Sequence, residues 1–434
     1  MSGNIHTFGN DSEEHEEDVS CTPLLSEQWH RELDTLSGTS RVRASDVELL
    51  FNGDRALDTW RRVLSEARHS IRLYTYYFSG RERVGRELLD IIEKKAKEGV
   101  SVRILAARYA QTACGPGDVL RLRRAGCRIV LTGNIGFRFP GRKARTTKKR
   151  LVGPVPPGIG SAGSHLIDFS LHAKILIVDG CSAITGGRNI QDRYFLSWKD
   201  ADIFLTGPAA SDLARRFDYE FSTLGGAPPF FPSVPESSGS SPGIFIRSIL
   251  SNPWEHAFTT METVIHAVKA ARQSIMIMTQ YIIPPPALLK ALSDAAKRGV
   301  AIDIITNSPV SGKAVAGGLC WYISSNWYAP LLEAGVRVHE WQGIERVSYL
   351  HTKFFLVDEA WLALGSFNLS VRSSYLESEI LCTLTDSRYT GEASDVFRDY
   401  LSRGCREVTL EETVRYSFHT RRIQRAALLF RNLY

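Results

Sequence analysis

"SLHAKILIVDGCSAITGGRNI" (residues 170–190) and "YLHTKFFLVDEAWLALGSFNLS" (349–370) carry one pattern written twice, H-x-K-x4-D-x6-G-[SG]-x-N. In each copy an unbroken apolar run follows the lysine, Ile175–Val178 and Phe354–Val357, which predicts a buried strand. His and Lys stand at i and i+2, so an extended backbone presents both on one face. A single such motif can arise by chance. Two in one chain need a structural reason.

The duplication reaches well upstream. "ARHSIRLYTYYFS" (67–79) matches "ARQSIMIMTQYII" (271–283), and "KKAKEGVSVRILA" (94–106) matches "DAAKRGVAIDIIT" (294–306). Further on, "RAGCRIVL" (124–131) matches "EAGVRVHE" (333–340). Each time a β-rich run passes into helical periodicity, stops near a glycine and resumes as a strand, the pattern of a parallel βαβ unit. "GGAPPFFPSVPESSGSSPG" (225–243) between the halves is rich in Pro, Gly and Ser and reads as a linker. The expected organisation is an acidic, disordered region over 1–44, a first α/β domain over 45–224, the linker, a second domain over 244–408 and a basic C-terminal helix over 409–434.

The chain has 434 residues, 43% of them hydrophobic and 23% charged, which suits a folded protein of two or three domains. No apolar run approaches the roughly 20 residues of a membrane-spanning helix. The first 20 residues lack the basic and apolar regions of a secretory signal. Seven scattered cysteines form no CxxC pair and no zinc spacing, so we expect single thiols in a reducing compartment. The net charge is +6, yet Asp11, Glu13, Glu14, Glu16, Glu17 and Asp18 crowd the first 20 residues, which hold no Lys or Arg. The remaining body is therefore more basic than the total, and favours anionic partners such as nucleic acid or anionic lipid.

Lys174, Lys353, Asn189 and Asn368 offer cationic and neutral donors suited to the non-bridging oxygens of a phosphate. His172 and His351 can attack phosphorus or exchange a proton near neutral pH. One copy supplies one imidazole. Two copies meeting across a pseudo-twofold interface supply both, so one attacks while the other protonates the leaving oxygen. The chemistry inferred is a two-step phosphodiester displacement through a phosphohistidine, with no metal and no cofactor.

These residues resemble the paired HKD motifs of the phospholipase D superfamily, and the resemblance covers almost all of both halves. It implies two α-β-α domains with mixed sheets and an active site at their interface, complete within one chain. It makes His172 the nucleophile and His351 the acid and base, and gives the phosphoryl oxygens to Lys174, Lys353, Asn189 and Asn368. Ser366 adds a hydroxyl where the first copy has Gly187. Asp179 and Asp358 complete the motif set and are expected to brace the motif loops. Glu379 is expected to orient a histidine, with Asp200 or Asp202 as its counterpart in the first half.

The cardiolipin synthase branch is the nearest resemblance, through "TNSPVSGKAVAGGLCWYISSNWYAPLLEAGVRVHEW" (306–341), "GGRNIQDRYF" (186–195), "WKDADIFLTGPAA" (198–210) and "GSFNLSVRS" (365–373). That branch moves a phosphatidyl group onto phosphatidylglycerol, which implies phospholipids at an anionic membrane surface as partners and a cytoplasmic, peripheral location on an inner membrane. A hydrolytic phospholipase D or a metal-independent endonuclease is the alternative, and only the last would take nucleic acid. "DFSLH" lacks the arginine common before the first histidine in that branch, and Ser370 and Glu377 stand where Asp and Asn are common. The stretch "RFPGRKARTTKKR" (138–150) has seven basic residues and no acid, and reads as a solvated loop or an anion clamp formed by Arg142, Lys143, Lys148, Lys149 and Arg150. The final segment opens with a capping-box pattern, Thr409-x-x-Glu412, and Ile423, Ala426, Ala427, Phe430 and Tyr434 fall at helical spacing. It reads either as a helix lying on anionic lipid or as one folded back onto its own domain.

Overall fold

The computed structural model describes residues 22–132, 170–226, 243–255, 257–314 and 318–433. Two mixed sheets dominate it. The first runs Val47–Leu50, Asp202–Thr206, Ser182–Gly186, Ile175–Val178, Ser70–Thr75, Ser101–Ala107 and Arg128–Thr132. The second repeats that order strand for strand as Ile244–Leu250, Ile380–Leu384, Trp361–Gly365, Phe354–Val357, Ser274–Met278, Ala301–Asn307 and Arg337–Trp341, with one further strand at each edge. In both, the three strands joined by helices are parallel and the rest antiparallel. Crossover helices Arg83–Lys97 and Pro286–Lys297 end at Gly99 and Gly299, whose left-handed φ of 93° and 91° turns the chain back into the next strand.

The repeated His-x-Lys segments enter their sheets in the same way. Ile175–Val178 pairs with Ser70–Thr75 on one side and Ser182–Gly186 on the other, as Phe354–Val357 does with Ser274–Met278 and Trp361–Gly365. One apolar cluster crosses between the sheets, bringing Ile184 and Phe204 of the first together with Leu362 and Cys382 of the second. A second cluster fills the outer side of the second sheet. Burying side chains of this size contributes about 1.5–3 kcal/mol each, so the halves are held by packing as well as by the linker.

Two expectations need correction at the ends of the chain. The last part of the region expected to be disordered, 22–44, is folded. Helix Glu27–Ser37 packs on Thr259–Ala270, its Trp29 and Leu33 buried, and Val42–Ala44 adds an antiparallel strand to the second sheet beside Ile244–Leu250. The amphipathic spacing of Trp29, His30 and Leu33 overrides the acidic character of the residues before it. Residues 409–434 are not one helix. The capping box forms as read, Thr409 and Glu412 exchanging both bonds, but it opens a five-residue helix, Leu410–Val414. A second helix, Phe418–Ala427, begins with Ser417 as its cap. Among the described residues no helix is long and apolar enough to cross a membrane.

Candidate active site

Each histidine segment is stitched to the opposite half. Ser170–Leu171 pairs in parallel with Glu377–Ser378, and the His172 N–H donates to the Ser378 carbonyl at 3.0 Å. In the mirror contact, Lys199 bridges Leu350 and the His351 N–H donates to the Lys199 carbonyl at 2.7 Å. Tyr74 adds a bond across the interface, its hydroxyl 2.5 Å from Ser378 Oγ. The registers align Lys199 with Ser378, and therefore Asp200 with Glu379.

The carboxylates are exchanged accordingly. His172 Nδ1 lies 2.8 Å from Glu379 Oε1, and His351 Nδ1 lies 2.6 Å from Asp200 Oδ2. An Nδ1–H donated to a carboxylate leaves the lone pair on Nε2, the nitrogen that can attack phosphorus or take a proton. Asp200 is thus the counterpart of Glu379. Asp202 instead pairs with the buried Arg188 at 3.2 Å. A signal for this choice stood in the sequence: Asp200 and Glu379 each lie 28 residues beyond their own repeat's histidine (172 to 200, 351 to 379).

Burial governs the electrostatics. Both imidazoles are buried, and desolvation, then the lysine two residues on, holds each well below the usual histidine range. Each imidazole also feels the other half's lysine, so the two motifs share one buried site. Lys174 is pulled down to about 8 and Lys353 to about 7, mainly by burial. Glu379 is pushed up to about 7 by burial, against the pull of Lys174. Each lysine donates to the carbonyl of its own histidine, and Lys353 Nζ also lies 2.8 Å from His351 Nδ1. Tyr76 packs edge-on to His172, and Tyr194 and Trp198 flank His351.

The two halves differ around their carboxylates. Ser366 donates to Glu379 Oε2 and accepts from the Ile380 N–H at 3.0 Å, fixing the longer acid. At Gly187 a Cβ would stand 2.0 Å from Asp200 Oδ1, so the shorter acid occupies the space where a serine would sit. The asparagines differ too. Asn189 bonds Thr75 at 3.1 Å and Tyr194 at 3.0 Å, whereas the buried Asn368 amide makes no hydrogen bond among the described residues. Among the described residues, Asn368 thus keeps both amide N–H groups for a phosphoryl oxygen, while Asn189 spends one of its two on Tyr194.

Asp179 and Asp358 stand apart, at the far ends of their strands. Asp179 accepts the N–H groups of Arg68, His69 and Ser70 at 2.9, 2.8 and 2.7 Å. Asp358 does the same for Arg272, Gln273 and Ser274 at 3.0, 2.8 and 3.0 Å, and accepts from Thr22 Oγ1 at 2.7 Å. Both adopt left-handed backbone, φ 53° and 51°, and clamp the entry of the strand beside them. The two departures noted after the second motif also have places. Glu377 is buried, pairs with Arg372 at 2.7 Å and lies 3.8 Å from His172 Nδ1, and Ser370 caps the helix Val371–Tyr375. Among the described residues, His172, Glu377 and Glu379 are the group whose ligand atoms lie close enough to hold a metal, within 4.8 Å of one another. Arg142, Lys143, Lys148, Lys149 and Arg150 lie outside the described residues.

Doubled sheets of one strand order, each delivering a His-x-Lys segment to a shared buried site, are the architecture of the phospholipase D superfamily. The chain belongs to the family described as cardiolipin synthase, PLD-like domain, which matches residues 61–224 and 264–401. It is 26% identical to cardiolipin synthase 2 of Bacillus anthracis over 424 residues, 95% of this chain and 74% of that one. Cardiolipin synthase A of Pseudomonas fluorescens is 27% identical over 391 residues, 88% of this chain and 73% of that one. Among solved structures, the phosphatidylserine synthase of Haemophilus influenzae Rd KW20 superposes with a TM-score of 0.67 at 14% identity, covering 94% of this chain and all of that one.

Proposed function

We propose that this protein is a cardiolipin synthase-like phosphatidyltransferase, with His172 as nucleophile, His351 as acid and base, and phosphatidylglycerol as substrate. The observation that carries the reading is the exchanged pair of buried imidazole–carboxylate contacts, His172–Glu379 and His351–Asp200, in a cavity that also holds two lysines. Family membership and the relatives named cardiolipin synthase support the choice of a phospholipid diester.

In the first step His172 Nε2 attacks phosphorus, the bond to the headgroup oxygen breaks, and His351, which takes up its proton once the phosphodiester anion is bound beside it, gives that proton to the leaving oxygen. In the second, His351 takes a proton from the acceptor hydroxyl, whose oxygen attacks phosphorus and releases His172. Lys174, Lys353 and the free amide of Asn368 hold the non-bridging oxygens, where negative charge grows. Glu379 and Asp200 stabilise the cationic form of each ring as it appears. Asp179 and Asp358 act on the fold and not on the substrate. The chemistry is metal-independent, and the enzyme works peripherally on the cytoplasmic face of an inner membrane.

Wild type and His172→Ala, given vesicles of labelled phosphatidylglycerol with and without phosphatidylethanolamine in EDTA, test this. A cardiolipin-like product from wild type alone is the expected result. Phosphatidic acid alone would make water the acceptor, and degradation of plasmid DNA without lipid turnover would move the substrate class to nucleic acid.

A further inference from the structure

The C-terminal helix Phe418–Ala427 divides cleanly into two faces. Its inner face carries Ile423, the buried Gln424 and the buried Ala427, and packs on the helix Leu319–Ser324 of the second domain. Gln424 Nε2 donates to Ser325 Oγ at 2.8 Å, fixing the rotation of the helix about its axis. The outer face is Phe418, Arg421, Arg422, Arg425 and Ala426, every one exposed, at the i, i+3, i+4, i+7, i+8 spacing of a single helical stripe. Leu429, 84% exposed in the following turn, continues the stripe, and Phe418 at its start is 77% exposed.

The stripe has three arginines, an apolar residue at either end and no acid. Arg422 lies 5.7 Å from the centre of the Phe418 ring and, like Arg425, makes no ion pair among the described residues. Arg421 reaches back to the Val414 carbonyl, bringing the 64% exposed Val414 alongside. Single exposed apolar residues are ordinary on a solvated surface, but here Phe418 and Leu429 lie on one helical stripe with three arginines and no acid. A cationic stripe ended by an exposed aromatic and an exposed leucine matches the boundary of an anionic bilayer, where the rings and leucines enter and the guanidinium groups meet phosphates. The turn Leu428–Leu433 packs on the helix Val371–Tyr375, which lies in sequence between Asn368 and Glu379, so the stripe is anchored beside the second half of the catalytic cavity.

We propose that the outer face of the C-terminal helix is an interfacial docking surface for anionic phospholipid bilayers, seating the second domain on the membrane. This rests on the phosphatidyltransferase reading only for choosing a bilayer over another polyanion. The apolar ends of the stripe make the same choice, since a nucleic-acid backbone would leave them in water.

The test uses the full-length protein in sedimentation with vesicles of phosphatidylglycerol and phosphatidylcholine, or of phosphatidylcholine alone. Arg422→Gln/Arg425→Gln is expected to lose about fivefold in partitioning per arginine, on the order of 25-fold together, and only on the anionic vesicles. Phe418→Ser/Leu429→Ser loses about tenfold per residue. Both variants change exposed side chains, so they are expected to keep wild-type melting temperatures and wild-type turnover of a monomeric short-chain phosphatidylglycerol. Wild-type vesicle binding by either pair would overturn the proposal, as would nucleic-acid retention by the wild type without vesicle binding. Absence of short-chain turnover in the wild type would count against the catalytic reading, while sedimentation would still decide the docking surface.

Discussion

Replacing each exchanged carboxylate by its amide removes one negative charge and leaves the side chain nearly unchanged in shape. Glu379 Oε1 is 2.8 Å from His172 Nδ1 and Asp200 Oδ2 is 2.6 Å from His351 Nδ1, which puts charge centres about 4 Å apart when the ring is cationic. At an effective dielectric of about 20, that contact stabilises the imidazolium by about 4 kcal/mol. Losing it from a transition state slows the step by about a thousandfold. A phosphatidyl ester of p-nitrophenol separates the two roles, because its leaving group departs without a proton. Glu379→Gln is then expected to slow the nitrophenolate burst about a thousandfold. Asp200→Asn is expected to keep the burst but stall the second step, so that His172 carrying the phosphatidyl group accumulates and can be trapped by denaturing quench and mapped by mass spectrometry. The reverse pattern would assign the attack to His351. Turnover within tenfold of wild type in both variants would refute the electrostatic reasoning itself.

Three further outcomes are expected. Asp179→Ala and Asp358→Ala, each losing a carboxylate that holds three backbone N–H groups at a left-handed turn, should lower stability in urea by about 2 kcal/mol and leave kcat near wild type below the melting range; a thousandfold fall in kcat with the fold intact would make them chemical. Gly187→Ser should displace Asp200 and cost at least about a hundredfold in kcat, whereas Ser366→Gly, which removes only a support of Glu379, should cost about tenfold; equal effects would deny the pairing of residue size with acid length. Finally, kcat/KM should peak near pH 7. Activity falls below about 7 as Glu379 takes a proton, and falls again as Lys353, held at about 7, and Lys174, at about 8, lose theirs. A bound phosphodiester anion favours the charged lysines, so the alkaline limb of kcat should lie at higher pH than that of kcat/KM, and coincident limbs would refute it.

The repeat made the architecture readable, because each helix-to-strand signal occurred twice in register and the matching segments became matching strands. The histidines, lysines and asparagines were legible from their fixed spacing. The carboxylate pairing was harder to read, since His172 meets Glu379 across 207 residues and His351 meets Asp200 across 151. Local pattern carries no information over such separations. The sequence reading left Asp200 and Asp202 open, and the equal offset within the two repeats was the one signal that could have separated them. The fate of 22–44 was obscured by the acids before it, though Trp29 and Leu33 sit at helical spacing. In the last segment the apolar spacing predicted the inner face at Ile423 and Ala427 but misplaced Ala426, which is exposed, because only the partner helix sets the rotation.

The exchange of carboxylates also says something about how such a chain could arise and how far it can change. An isologous dimer of one repeat would place every acid opposite its partner's histidine, which is the arrangement kept here within a single chain. Once the copies are joined, each can alter its own sequence, but the acid it carries serves the other copy's ring. Gly187 with Asp200 and Ser366 with Glu379 are two solutions to one spatial problem, strict at Gly187, where a side chain would displace the acid, and looser at Ser366, which only supports it. Each motif is therefore tied to an acid carried by the other copy, so grafting a motif from a relative without that acid is expected to leave its histidine without the carboxylate that orients it.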